Sequence, residues 1–179
     1  AAFGVYSNQK DTSLMNQVNV NGTLNLLTSL NENSELERLI NLGSVFEYGF
    51  TSNSIKETDP TQPFDSYSDT KVSQTKLVEY YSHQKQLPAV TLRIFTPYGI
   101  FEEPGRLISD VMVATVKKKS LKIFSRKAKR DFVYIDDVTH ALIKASKKSG
   151  IEGEIFNIGS GNGTSVEELV NLVCKITNT

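Results

Sequence analysis

Short apolar runs alternate with longer segments of helical spacing along the whole chain, and that rhythm confines it to an α/β fold. Residues 13–30 carry Leu14, Val18, Leu24 and Leu27 at helical intervals. Leu39-Ile40-Asn41-Leu42 reads as a short buried strand. Residues 52–63 hold Asn53, Pro60, Pro63 and several Ser and Thr, the composition of a loop. Asp65 or Ser66 can cap a helix that runs from Tyr67 to about Gln84. Pro88 then precedes a strand at 89–95. Thr96-Pro97-Tyr98-Gly99 and Glu102-Glu103-Pro104-Gly105 mark a long connection, followed by a helix from Leu107 to Lys118. Strands are expected at 121–124, 132–135 and 154–158. Asp136-Asp137 opens a helix reaching about Lys148, with acids at its positive end and lysines at its negative end. Ser165-Val166-Glu167-Glu168 is a capping box for a last helix.

A chain of 179 residues is long enough to bury one real core. With 39% hydrophobic residues and a mean hydropathy of −0.27, it reads as soluble and globular. No apolar run approaches the ~18 residues of a membrane span, so no membrane partner is expected. The opening Ala1-Ala2-Phe3-Gly4 lacks the basic start of a signal peptide. The single cysteine, Cys174, forms no intrachain disulfide and fits a reducing, cytoplasmic setting. Net charge is zero, and Lys117–Lys119 and Arg126–Arg130 are the only basic clusters, which excludes a nucleic-acid partner. His83 and His140 lie far apart with no carboxylate or cysteine pattern, so no metal is expected.

The chemistry concentrates in Tyr67-Ser68-Asp69-Thr70-Lys71 and in Ser44, 23 residues before Tyr67. Tyrosine and lysine at i and i+4 share one helix face, a turn apart. A neighbouring ammonium favours the charged form of a phenol. Such a tyrosine can exchange a proton with an alcohol or carbonyl while a cofactor exchanges the hydride, and a serine hydroxyl can polarise the same oxygen. The spacing alone is weak: Tyr81 and Lys85 repeat it without a serine element upstream.

The surroundings of the first pair make it specific. Ala1-Ala2, Asn19-Val20-Asn21-Gly22-Thr23, Ser44 to Gly49, Leu92 to Gly99, Arg130 to Asp137 and Asn157 to Gly161 follow one another in order. Together they resemble the extended short-chain dehydrogenase/reductase family, nearest to its nucleotide-sugar epimerases, dehydratases and 4-keto reductases. The resemblance implies the later part of a Rossmann-like, doubly wound parallel sheet with a small C-terminal α/β substrate-binding region. It places dinucleotide-binding elements and the catalytic helix in residues 1–99, and mostly substrate-binding elements in 100–179. The family's opening strand and Gly-x-x-Gly-x-x-Gly turn, which cradles a pyrophosphate, has no counterpart here. Gly159-Ser160-Gly161-Asn162-Gly163 lies outside any opening βαβ unit and reads as a turn near the nucleotide sugar. The chain therefore resembles the middle and later part of a larger enzyme, and by itself is not expected to hold NAD or NADP tightly.

By the same resemblance Ser44, Tyr67 and Lys71 are catalytic: Tyr67 transfers the proton, Lys71 holds the nicotinamide ribose and Ser44 bonds the reacting oxygen. Ala1, Ala2, Asn19 and Pro97 join Tyr67 and Lys71 on the side of the cofactor, NAD or NADP. Val45, Phe46, Thr96, Arg106 and Arg130 fall on the side of a nucleoside-diphosphate sugar. The family's 4,6-dehydratases carry an Asp-Glu pair where this chain has Val45 and Phe46, neither of which is an acid or base. Glu47 comes one place too late and, in an extended segment, points the other way. What remains is 4-epimerisation or 4-keto reduction at the sugar. Thr96 replaces an asparagine common in the epimerases, which changes a contact to the diphosphate. Arg130 matches an arginine that meets nucleotide phosphates, a task suited to a guanidinium; its alternative is an ion pair with Asp131 or Asp136. The family pairs two long helices per subunit into a four-helix bundle, so the parent enzyme is expected to be a homodimer. A nucleotide-sugar 4,6-dehydratase, and a non-catalytic dinucleotide-binding or interaction protein on the same fold, are the competing readings.

Overall fold

The structure, a computed structural model, describes residues 2–6, 8–32, 35–50, 54–123 and 125–178. Its chain divides into two compact units, Ala1–Ile94 with His140–Ile158, and Phe95–Thr139 with Gly159–Thr179.

In the first unit, α1 (Thr12–Met15), a π-helical stretch (Asn16–Asn21) and α2 (Gly22–Asn31) form one unbroken helical run. Asp11 starts it, its carboxylate accepting from the Leu14 N–H at 3.0 Å. Strand β1 (Leu39–Ser44) leads into a 3₁₀ turn (Val45–Tyr48), and α3 (Ser66–Lys85) follows the loop through residues 54–63. Asp65 caps α3, taking the Ser68 N–H at 2.7 Å, while Ser68 Oγ takes the Asp65 N–H at 3.0 Å. Gln86 ends the helix in the left-handed region, at φ 59°.

Strands β2 (Ala89–Ile94) and β5 (Ile155–Ile158) complete a parallel sheet in the order β1-β2-β5. Leu42 lies beside Leu92, and Leu92 beside Phe156. Alternate side chains leave opposite faces. Leu39 and Ala89 therefore pack with Leu27, Val78 and Leu87 against α2 and α3. Ile40, Val90 and Leu92 pack on the other face with Leu142 and Ala145 of α5 (Ile135–Lys147). A central strand covered on both sides is largely apolar, with two exceptions in β2: Thr91, which accepts from Asn41 Nδ2 at 3.2 Å, and Arg93.

In the second unit, β3 (Thr96–Tyr98) pairs in parallel with β4 (Lys129–Tyr134), and β4 pairs antiparallel with β6 (Gly163–Ser165). Helices α4 (Leu107–Val116) and α6 (Val166–Thr177) close over Val111, Leu169 and Val173, with Phe132 of β4 against them. The α6 capping box has Ser165 Oγ accepting from the Glu168 N–H at 3.2 Å and Glu168 Oε2 accepting from the Ser165 N–H at 2.7 Å. Those bonds hold the Glu168 carboxyl below its ordinary range.

Here the structure departs from the sequence expectations. Residues 121–123 form no strand, and Phe124 lies outside the described residues. The strand pairing falls later, because β4 starts at Lys129 where it meets Ser165. Three-residue strands such as β3 and β6 are too short to show a period of two, and the connection after Phe95 hid one of them.

Candidate active site

The end of β1 is held from several directions. Ser44 sits half-buried at the strand's last position, and its Oγ accepts from the Phe46 N–H at 3.2 Å. Its own N–H donates to Glu47 Oε1 at 2.8 Å, so the strand stops in a reciprocal cap. The Glu47 side chain is fully buried and meets Arg93 Nε at 2.8 Å. Gly43 is required here: a Cβ would stand 2.7 Å from Glu47 Oε1 and 2.9 Å from Arg93 Cγ.

Tyr67 lies in the first turn of α3 and Lys71 one turn on. The Lys71 ammonium donates to Leu42 O at 2.5 Å and to Gln74 Oε1, and Gln74 donates in turn to Thr23 Oγ1 at 2.9 Å. The lysine is thus fastened to the same strand that ends in Ser44. Burial lowers its pKa from the ordinary 10.5 to about 8, with the Glu47 carboxylate pulling the other way. Tyr67 packs edge-on to Phe46, ring centres 6.4 Å apart, and Phe46 in turn meets Phe64 at 5.7 Å. Phe46 is 44% exposed and Val45 half-buried, so the Ser44 end carries an apolar wall.

Asn19 is buried in the π-helical stretch. Its Oδ1 accepts from the Phe3 N–H at 2.8 Å, and its Nδ2 donates to Phe3 O and to Thr70 Oγ1. It braces the segment after Ala2 against the turn of α3 between Tyr67 and Lys71. Ala2 itself is exposed, and Ala1 lies outside the described residues. Tyr81, of the second Tyr-Lys pair, shares a hydrogen bond with Thr28 at 2.9 Å between the helices.

The remaining candidates belong to the second unit. Thr96 and Pro97 lie half-buried on β3. Arg106 stands at the start of α4, 3.8 Å from Glu102. Arg130 is exposed on β4 opposite Thr164. Asp131 next to it turns its carboxylate to the Ser160 and Gly161 N–H groups, at 2.7 and 2.9 Å, and so clamps the glycine-rich turn. A Cβ on Gly159 would fall 2.6 Å from Asp131 Oδ2.

Sequence reasoning missed the buried set of Glu47, Arg93 and Tyr48, with the half-buried Asn157. Arg93 Nη1 donates to Tyr48 Oη at 2.7 Å, and Tyr48 Oη donates to Asn157 Oδ1 at 2.8 Å. The signal was an arginine inside an apolar strand, which must find a buried partner.

Comparison with known proteins agrees with this architecture. The family model for NAD dependent epimerases and dehydratases matches residues 1–159. The chain is 31% identical over 167 residues to human dTDP-D-glucose 4,6-dehydratase, covering 90% of this chain and 47% of that protein. It is 28% identical over 160 residues to the uncharacterized UDP-glucose epimerase YtcB of Bacillus subtilis, covering 89% of this chain and 50% of that one. The crystal structure of UDP-glucuronic acid 4-epimerase from Bacillus cereus in complex with NAD superimposes with a TM-score of 0.91 at 29% identity, over 100% of this chain and 58% of that one. The chain spans about half the length of the curated relatives it matches. A parallel sheet with helices on both faces, a Tyr-x-x-x-Lys helix beside a serine strand end, and a match over most of the sequence meet in one conclusion: the chain belongs to the NAD dependent epimerase/dehydratase family.

Proposed function

We propose that this chain carries the catalytic segment of an NAD-dependent nucleotide-sugar 4-epimerase or 4-keto-sugar reductase. The observation that carries the reading is Lys71: a buried ammonium one turn from Tyr67, fastened to Leu42 O two residues before Ser44. Tyr67 moves the proton at the C4 oxygen of the sugar, Ser44 Oγ bonds that oxygen, and Lys71 keeps the phenol side electropositive. The lysine has three donors and two are engaged, so one is open to a ribose hydroxyl, which fits the nicotinamide end of a dinucleotide. NAD, when bound, accepts and returns the hydride. NAD is preferred over NADP because the Bacillus cereus 4-epimerase structure is a complex with NAD.

On this reading residues 1–99 carry the dinucleotide-binding elements, with Ala1, Ala2, Asn19 and Pro97 for the cofactor, and residues 100–179 mostly the substrate-binding ones. Thr96, Arg106 and Arg130 are the candidates for the diphosphate. Val45 and Phe46 line the sugar. Neither can protonate or deprotonate it, and Glu47 is spent on Arg93, which favours hydride chemistry alone over 4,6-dehydration. The human 4,6-dehydratase at 31% identity keeps dehydration as the second reading. The exposed Leu14, Leu24, Leu26 and Tyr80 on α1, α2 and α3 support a homodimer through a four-helix bundle.

The test is Tyr67→Phe in the full-length protein, assayed with NAD and a panel of nucleotide sugars. Turnover falls by about 10²–10⁴ while nucleotide-sugar binding persists. Unchanged turnover sinks the reading, and a 4-keto-6-deoxy product from a 6-hydroxy sugar selects the dehydratase.

A further inference from the structure

Glu47 and Arg93 are 0% and 3% exposed, whereas Arg38–Glu152, Lys76–Glu79, Arg106–Glu102 and Arg126–Glu167 each have a partner that is at least 33% exposed. Burying two charges costs more than an apolar pair of the same size would, so a buried pair calls for an account beyond stability. Its geometry gives one. Glu47 Oε2 is taken by Arg93 Nε, which leaves Oε1 for the Ser44 N–H at 2.8 Å. The guanidinium is itself immobilised: it lies 4.5 Å over the Tyr48 ring and donates to Tyr48 Oη. Tyr48 is bound to Asn157 of β5, whose N–H donates to Glu57. Three strands and a loop converge on one carboxylate, and that carboxylate holds the backbone of Ser44.

Lys71 grips the same strand two residues away: its ammonium donates to Leu42 O at 2.5 Å, and the Glu47 carboxylate takes the Ser44 N–H at 2.8 Å, so the two charges are fastened to neighbouring backbone positions of β1. The elements packed against α3 offer few other titratable groups. Residues 12–31 and β1 contain none, β2 contributes Arg93, and the 3₁₀ turn contributes Glu47 and Tyr48. Glu47 is the acid that offsets the burial of the Lys71 ammonium.

We propose that Glu47, locked by Arg93, is a positioning residue of this site: its carboxylate fixes the Ser44 backbone and supplies the negative charge that keeps the neighbouring Lys71 an ammonium. The inference rests on the reading of Ser44, Tyr67 and Lys71 as the proton-transfer set.

Glu47→Gln in the full-length protein tests it, because the amide can still accept the Ser44 N–H but carries no charge. Two readouts are taken. In lysine-selective NMR titration without substrate, assigned with Lys71→Arg, the Lys71 midpoint falls below that of the wild type, since a lost carboxylate disfavours the ammonium. In kinetics, kcat falls about tenfold with KM for the nucleotide sugar within about twofold, and the basic limb of the kcat profile moves to lower pH. A midpoint that does not move, or wild-type kcat across the pH range with only a lower melting temperature, overturns the proposal and leaves a structural ion pair. If E47Q does not fold, the neutral pair E47Q/R93Q is read by the same two measurements against the same outcomes. A wild-type protein that turns over no nucleotide sugar sinks the functional reading instead, and the NMR titration still decides whether Glu47 sets the charge of Lys71.

Discussion

The segment from β1 to β2 and the segment from β3 to β4 both carry residues assigned to the site, but they hold them differently. In the first, Glu47, Lys71 and Thr70 are buried and engaged: Glu47 with Arg93, Lys71 with Leu42 O, and Thr70 with Asn19 of the preceding helical run. In the second, Arg130 projects from a short strand into solvent and Arg106 reaches Glu102 only at 3.8 Å. Proton transfer needs fixed donors at one atom, which rewards a buried and preorganised frame. Binding a phosphate needs mobile cations that meet an anion arriving from water, and an exposed guanidinium serves. The contrast predicts that charge changes in the first segment act on stability and proton affinity, whereas those in the second act on substrate binding.

The largest effect expected is from Arg93→Met, which leaves Glu47 buried without its ion-pair partner. Removing one partner of such a pair costs about 3–5 kcal/mol, read as a fall in the denaturation midpoint of the full-length protein. Replacing both, as E47L/R93M, recovers much of that loss. If Arg93→Met melts like the wild type, the frame is not held by this pair and the contrast fails.

Lys71→Met comes next and is a test by pH. The folded pKa is depressed from 10.5 to about 8, so between those values the unfolded chain binds more protons than the folded one. Lys71 therefore burdens the fold below pH 8, and the burden is lifted as pH rises toward 10.5. The stability of the wild type should gain on that of Lys71→Met across this window, by up to about 3 kcal/mol. Parallel stability curves for the two proteins would mean that the ammonium is not desolvated.

How much of this was legible in the sequence follows the same division. The strands around α3 could be read because they are apolar on both faces, and α3 and α6 because Asp65 and Ser165 cap them visibly. The i, i+4 spacing placed Tyr67 and Lys71 on one helix face. The expectation for Glu47 assumed an extended segment, but residues 45–48 form a 3₁₀ turn; Glu47 is buried by its bond to the Ser44 N–H and by a partner 46 residues on in β2. That pairing is set by strand register, Gly43 beside Arg93, which no local pattern records. In the second unit, β3 and β6 owe their existence to a neighbour: Thr96 and Gly163 become strand only because β4 runs between them.

Arg130→Ala sharpens the comparison from the other side. Arg130 is exposed, so the melting temperature should hold while KM for the nucleotide sugar rises about tenfold, the loss of one charge-assisted contact. A loss of stability with unchanged KM would make Arg130 a structural residue and erase the distinction between the two segments.

The smallest effect separates local helix chemistry from the site altogether. Ser165→Ala removes the acceptor for the Glu168 N–H and one of the two Ser165 donors to the Glu168 carboxylate, at the first turn of α6. An N-cap of this kind is worth about 1 kcal/mol. The cap is exposed and its two bonds are local, so the cost should appear as a lower melting temperature, with KM unchanged. Glu168 keeps the Ser165 N–H but loses the hydroxyl bond that also holds its carboxyl acidic, so the part of the deficit owed to that bond should shrink as pH falls and the carboxyl takes up its proton. A deficit of equal size at all pH values would assign the cap to the serine hydroxyl alone. A change in KM would mean that α6 and its cap bear on the substrate side, and that the second unit is less loosely built than its exposed arginines imply.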